Sequence, residues 1–323
     1  MTEPIEELFE RHRRELVVHC YRMMGSYSES EDIVQETFIR AIRSYHQIDD
    51  PSSVRAWLYK IATNACIDAL RRRNRSRFLP FDVMDPVRGP GDLPTAGDHL
   101  WLEPFPDRLL VDDPGADPGE EAVHRETMEL VFLAAVQHLP PLQRAVFISR
   151  DVMGWSAKAT AVLLDTSQAA VKSALQRARA VIREHVPDRR EEWDAATEVS
   201  EDERRVVRRY IDAHRQDSIE SLAEVLADDV RIAYPGIPLW SDSRDAFLQA
   251  TREFAPPGEY RFVATSANLQ PAVAIYLRAP GDPAYRLTAL ELLRIENGKV
   301  TEIVDFDPGG LSPEFGLEPT LQP

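Results

Sequence analysis

The sequence predicts a multidomain chain in which two all-α blocks precede an α+β domain. Three observations carry this reading. Apolar residues recur at helical spacing through residues 1–77 and again from 123 to 190, prolines crowd the stretch between them, and the C-terminal part turns to alternating strands. At 323 residues the chain is also too long for one compact core.

The first block reads as a bundle of about three helices. Leu8, Phe9, Leu16, Val17, Cys20 and Tyr21 form one apolar stripe, Ile33, Val34, Phe38, Ile39 and Ile42 a second, and Trp57, Leu58, Ile61, Ala62, Ala65 and Leu70 a third. Gly25-Ser26 and the run Asp49 to Ser53 supply the breaks. Both cysteines, Cys20 and Cys66, fall inside these stripes, which points to buried thiols rather than to a metal site or a disulfide. The third helix ends in Arg71, Arg72, Arg73, Arg75 and Arg77, an unusual run in a chain of net charge -16.

Residues 78–122 hold prolines at 80, 86, 90, 94, 104, 106, 114 and 118 and carry a net charge of -9. Such proline density forbids a regular element, so the stretch is expected to be a linker. Its one apolar motif, WLEPFPD from Trp101 to Asp107, is expected to dock on a neighbouring surface, because exposed aromatics are costly in water.

Helices resume in the block 123–190, where Leu139-Pro140-Pro141 marks a start. From Gly154 to His185, Ser156 caps a short helix, Asp165-Thr166 turns the chain, and Ser167 caps a longer helix with Val171, Leu175, Ala178 and Ile182 inward. The outer face presents Gln168, Lys172, Ser173, Gln176 and Arg177. This is a helix-turn-helix plan, with lysine and arginine for phosphates and guanines and glutamine and serine for base edges.

The last domain, 200–323, opens with helices over Val206–His214 and Ile219–Leu226, followed by strands, a helix over Arg244–Phe254, and further strands. Glu296-Asn297-Gly298-Lys299 is a hairpin turn. Net charges of +1, -9, +4 and -12 for residues 1–77, 78–122, 123–190 and 191–323 confine nucleic-acid contact to the two helical blocks. No apolar run reaches the roughly 18 residues of a membrane span, and the polar N-terminus lacks a signal peptide's apolar stretch; a cytoplasmic protein without metal or cofactor is expected.

The segments GWSAKATAVLLDTSQAAVKSALQRARA, EDIVQETFIRAIRSY and WLYKIATNACIDALRRR resemble, in family order, domains 4 and 2 of the bacterial extracytoplasmic-function sigma factors. The resemblance implies that core RNA polymerase and promoter DNA are the partners and that the chain is not itself an enzyme. It implies that Lys172, Ser173, Gln176 and Arg177 meet the -35 element, that Asn64 lies near the -10 element with His46 to Asp50 as a base-reading loop, and that Asp32, Gln35 and Glu36 face the polymerase. Ala174 stands where the family usually has an arginine. The C-terminal part resembles, more loosely, a SnoaL-like cone fused as a regulatory domain. There Tyr234, Trp240, Tyr276 and Asp305 are the candidates for lining a small-ligand pocket. Two other readings fit parts of the pattern: a helix-turn-helix regulator that acts without polymerase, and an enzyme in which the C-terminal domain turns over a small molecule.

Overall fold

The computed structural model of the chain describes residues 5–45, 53–73, 76–87, 100–110, 127–185, 199–216, 218–236 and 239–323. It divides into two compact units, one formed by residues 1–77 with 109–195 and the other by 78–108 with 196–323.

In the first unit, α1 (Ile5–Met24), α2 (Tyr27–Ser44) and α3 (Val54–Arg73) pack as the expected bundle. Gly25, at φ 67°, closes α1 by donating its N–H to the Tyr21 carbonyl at 2.7 Å, and Ser26 caps α2 by accepting from the Glu29 N–H at 3.2 Å. Cys20 and Cys66 are free and buried. The second apolar stripe is narrower than the sequence suggests: α2 buries Ile33, Val34, Thr37 and Ala41, whereas Ile39 and Ile42 are 50% and 46% exposed.

The same unit holds α4 (Leu130–Gln137), α5 (Pro141–Phe147), α6 (Ala157–Leu163) and α7 (Gln168–His185). Both expected caps form, with Ala159 N–H donating to Ser156 Oγ and Ala170 N–H to Ser167 Oγ, each at 3.1 Å. Asp165, at φ 48°, takes the left-handed conformation that reverses the chain between α6 and α7. Arg144 on α5 is fully buried, and its guanidinium donates to the carbonyls of Gln137 and Leu139 and to Gln137 Oε1.

The second unit carries α8 (Glu201–Arg215), α9 (Ile219–Val225) and α10 (Arg244–Phe254) on one face of a sheet. The strands are β1 (Leu226–Tyr234), β2 (Leu239–Ser241), β3 (Glu259–Ala267), β4 (Gln270–Arg278), β5 (Tyr285–Glu296), β6 (Lys299–Phe306) and β7 (Thr320–Leu321). Their order is β2-β1-β6-β5-β4-β3, with β7 added to β5; only β1 and β6 run parallel. The helix-covered face is apolar: Tyr210, Ile211, Leu222 and Phe247 pack on Val230, Ile232, Val273, Leu293 and Ile303. Asn297 and Gly298, at φ 52° and 73°, make the expected β5–β6 hairpin turn.

The expected linker is partly something else, because residues 78–108 belong to this second unit. Val87 N–H donates to the Trp240 carbonyl and Trp240 Nε1 to the Met84 carbonyl, both at 2.8 Å. Further along, Phe105 N–H donates to Asn268 Oδ1 at 2.7 Å, Asn268 N–H returns a bond to the Phe105 carbonyl at 2.9 Å, and Leu269 N–H donates to Asp107 Oδ1 at 2.8 Å. Leu79, Leu102 and Phe105 are buried. Contrary to the sequence expectation, the prolines leave room for short regular pieces: a one-turn helix over Pro80–Val83 and a two-stranded ladder in which Leu102 N–H donates to the Phe78 carbonyl at 3.0 Å. Docking adds to these, as apolar side chains between the prolines gain burial and the Asn268-Leu269 turn, both residues at positive φ, supplies polar partners. WLEPFPD therefore docks as expected, on the C-terminal sheet domain. Residues 88–99 and 111–122 of the expected linker lie outside the described residues. No helix among the described residues is long and apolar enough to cross a membrane.

Candidate nucleic-acid interface

The outer face of α7 matches its sequence pattern. Gln168, Lys172, Ser173, Gln176 and Arg177 are all exposed, while Val171, Leu175, Ala178 and Ile182 are buried. None of the five exposed side chains is held by a hydrogen bond or ion pair among the described residues, so each can bond to a partner. Arg179, two residues beyond Arg177, is instead held by two bonds to Asp151 at 2.7 and 2.8 Å, which anchors α7 to the turn Ile148–Val152 that follows α5. Ala174 is buried, so its side chain is not on the outward face at all. Beside the helix runs a groove of about 710 Å³ with Phe132, Phe147, Leu175 and Ile182 on its apolar floor and Lys172, Arg179 and Arg183 at its rim.

The arginine run at the end of α3 divides. Arg71 and Arg72 are exposed and without a partner among the described residues. Arg73 is placed otherwise than expected: it and Arg77 form ion pairs with Glu29, in the first turn of α2. That carboxylate also favours the positive end of the α2 dipole, so Glu29 ties the start of α2 to the end of α3 and to Arg77 beyond it, rather than leaving Arg73 for a ligand. Arg75 and the segment His46 to Asp50 lie outside the described residues. Asn64 is half-buried on α3 with no partner among the described residues, and Trp57 is half-buried rather than inward.

On α2, Asp32 and Gln35 are exposed, and Glu36 pairs with Arg40 at 2.5 Å. Ile39 and Ile42 continue this face at i+7 and i+10 from Asp32. The sequence reading missed them by assigning them to the core; counting from Asp32 rather than from Ile33 separates the two faces.

In the second unit the four pocket candidates scatter. Tyr234 and Asp305 face the apolar interior, Tyr234 packing on the core beside Ile232 and Asp305 sharing the strand parity of Ile303. Trp240 is bound to the Met84 carbonyl, and Tyr276 donates to the Glu318 carbonyl at 2.9 Å, so both serve chain segments instead. The interior group is completed by two residues that the sequence reading did not single out. Glu291 sits directly across from Asp305 in the β5–β6 register, and the Tyr210 hydroxyl donates to Glu291 Oε2 at 2.9 Å. Burial and the neighbouring Asp305 push the Glu291 carboxyl up to about 8, and burial with Asp307 nearby pushes Asp305 up to about 7. Burial with the nearby carboxylates likewise raises both tyrosines. The signal was present in YRLTALELLRIE, where Glu291 takes an inward position between Ala289 and Leu293. His214 lies between the Tyr210 and Phe262 rings, a packing position. Among the described residues no group of three or more His, Cys, Asp or Glu could hold a metal ion.

Comparison with known proteins follows these divisions. Residues 8–76 match the family sigma-70 region 2, 129–182 match sigma-70 region 4, and 207–303 match the SnoaL-like domain. The chain is 39% identical over 316 residues to the ECF RNA polymerase sigma factor SigG of Mycobacterium tuberculosis, covering 97% of this chain and 83% of that one. It is 30% identical over 192 residues to the ECF RNA polymerase sigma factor SigX of Bacillus subtilis, covering 59% of this chain and 88% of that one. In fold it resembles the crystal structure of the Mycobacterium tuberculosis extracytoplasmic function sigma factor SigJ, with a TM-score of 0.61, 20% identity and coverage of 97% and 99%.

Proposed function

This chain belongs to the extracytoplasmic-function RNA polymerase sigma factors, and on that premise we propose how its surfaces divide the work. It binds core RNA polymerase and directs promoter recognition, with domain 4 addressing the -35 element and domain 2 the -10 element. The catalysis of transcription belongs to the polymerase; this chain contributes binding energy and position.

The observation that carries the reading is the face of α7, where Gln168, Lys172, Ser173, Gln176 and Arg177 are exposed together. Lysine and arginine there suit phosphates and guanine edges, and the glutamines and Ser173 suit base edges in a major groove wide enough for one helix. On domain 2 we assign Asn64, Arg71 and Arg72 to the promoter. Asn64 has an amide free for a base edge, and the two arginines are cations free for phosphates. We assign the α2 face, with Asp32, Gln35 and Glu36 now joined by Ile39 and Ile42, to the polymerase. An exposed apolar pair bordered by carboxylates is the composition of a protein interface rather than of a DNA surface.

The C-terminal domain regulates. Its anchoring of residues 78–108 makes the chain between domains 2 and 4 part of its own structure, so anything that alters the sheet domain acts on that connection. A small-ligand site, in this reading, centres on Tyr234 and Asp305 with Glu291 and Tyr210, rather than on Trp240 and Tyr276. The assignment of the polymerase surface is tested by co-purification of the full chain with core RNA polymerase in the cytoplasmic extract and with purified components. Retention of wild type and loss on Ile39→Asp support it; retention of both contradicts it.

A further inference from the structure

One cation of the recognition helix is already spoken for. Lys172, Gln176, Arg179 and Arg183 stand at i, i+4, i+7 and i+11 on α7, a single exposed stripe along one side of the helix. Lys172 has no bond among the described residues, and Arg183 donates its Nε–H to the Arg179 carbonyl at 3.3 Å. Of the three cations, Arg179 is the one with a counter-ion among the described residues. Its Nε and Nη2 donate to Asp151 Oδ2 and Oδ1 at 2.7 and 2.8 Å, a two-pronged guanidinium–carboxylate pair.

The backbone holds Asp151 in place for this pairing. It lies in the turn Ile148–Val152, whose first two residues, Ile148 and Ser149, are buried. Met153 N–H donates to the Ile148 carbonyl and Trp155 N–H to the Ser149 carbonyl, both at 2.9 Å, which fixes the turn from either side. The Asp151 side chain is 22% exposed against 56% for Arg179, so a set carboxylate holds a long side chain that lies mostly in water. The pair ties α7 to this turn, but α7 does not depend on it. Val171, Leu175, Ala178 and Ile182 already bury the inner side of the helix, and an exposed ion pair adds little to folding. Its larger consequence is for charge.

Arg179 lies seven residues beyond Lys172, about 10 Å along the helix. The major groove is about 12 Å wide. A helix whose first turns read bases therefore brings a residue at this distance to the edge of the groove, where phosphates run. A free guanidinium there adds one phosphate contact. A paired one adds none unless it leaves Asp151, and leaving strands a mostly buried carboxylate beside a polyanion. Resting on the reading of domain 4 as the -35 element binder, we propose that Asp151 is a built-in counter-ion: it masks Arg179 and holds down the sequence-independent affinity of this chain for duplex DNA. The base-reading residues Lys172, Ser173, Gln176 and Arg177 keep their roles, and the attraction common to all sequences is smaller by one cation.

The test is the salt dependence of DNA binding by the full chain, read by fluorescence anisotropy on two duplexes of unrelated sequence. Asp151→Asn keeps the shape and one acceptor while removing the charge. It should steepen the slope of log affinity against log salt by about 0.9, raising affinity about tenfold at 50 mM salt and about threefold at 200 mM. Both duplexes should respond alike, because a phosphate contact carries no sequence information. Asp151→Glu, which retains the charge, should keep the wild-type slope. Asp151→Asn combined with Arg179→Gln should return to that slope, which identifies Arg179 as the cation released. A purely structural tie predicts the opposite sign, since loosening α7 would weaken binding. Affinity that falls or a slope that stays the same in Asp151→Asn overturns the proposal, and so does a gain that survives Arg179→Gln. Lys172→Ala, measured alongside, separates this from the reading beneath it. A slope that Lys172→Ala leaves unchanged counts against α7 as the DNA-reading helix, while the Asp151→Asn slope still decides the counter-ion. A wild-type chain that binds neither duplex, with Asp151→Asn equally inert, overturns both.

Discussion

The Glu291–Asp305 pair should make the C-terminal unit less stable as pH rises, a dependence opposite in sign to that of a salt-bridged carboxylate. Both carboxyls have folded-state values above their ordinary 4.5 and 3.8, at about 8 and about 7. Below the ordinary range both states hold the protons and nothing is lost. Above it the unfolded chain releases protons that the folded chain retains, so the folded state is disfavoured progressively until its own groups titrate. Counting a single proton shared by the facing pair, each pH unit costs about 1.4 kcal/mol, or about 4 kcal/mol between pH 5 and pH 8. For a unit of this size that is a fall of roughly 10 °C in melting temperature. Glu291→Gln removes the group that titrates higher while keeping an acceptor for the Tyr210 hydroxyl, so the variant's decline should stop near pH 7, where Asp305 titrates, instead of continuing to about pH 8. The assay is calorimetric melting of the full chain at half-unit steps from pH 5 to 8.5, following the transition of the sheet domain. Stability that is flat or rising over this range, or a decline in Glu291→Gln that continues to about pH 8, refutes the reasoning.

Three further outcomes are expected. Lys172→Ala should weaken binding to promoter duplex across sequences and reduce the slope of log affinity against log salt by about 0.9, whereas Gln176→Ala should change sequence preference and leave the salt slope alone; fluorescence anisotropy at several salt concentrations separates them. Ile39→Asp should reduce affinity for core polymerase by about tenfold or more without lowering the melting temperature, because the residue is half exposed and outside the core; titration calorimetry and a thermal melt check the two halves. Truncation before Ser200 should expose Leu79, Leu102 and Phe105 and increase binding of an apolar fluorescent dye, a consequence of the docked segment that a free linker would not share.

Much of this architecture was legible because local chemistry determined it. Ser156 and Ser167 cap α6 and α7 in the structure as the hydroxyl-before-apolar-stripe pattern dictates, and Asn297-Gly298 turns where a two-residue hairpin requires positive φ. The inward and outward faces of α7 followed from a strict 3.6-residue period. What escaped depended on contacts between residues distant in sequence. Nothing local distinguishes Arg73 from Arg71, yet Glu29, 44 residues away, claims the one and leaves the other. Proline density overstated the irregularity of residues 78–108, where a one-turn helix over Pro80–Val83 and a short strand over Leu100–Trp101 form, and it says nothing about docking on Asn268 and Trp240. Ile39 and Ile42 were assigned inward because apolar residues usually are; the helix buries Thr37 instead, satisfying its hydroxyl on the Ile33 carbonyl at 2.8 Å. The interior acid group needed strand pairing, since only the register makes Glu291 and Asp305 neighbours.

The most direct test of the central claim is run-off transcription with core RNA polymerase, the full chain and a library of promoter sequences. The account predicts transcripts that appear only when both proteins are present, that share defined -35 and -10 sequences, and that are lost when Lys172 and Arg177 are replaced together by alanine. Transcription that is independent of the chain, or equal transcript yield and sequence selection with the double variant, would contradict it.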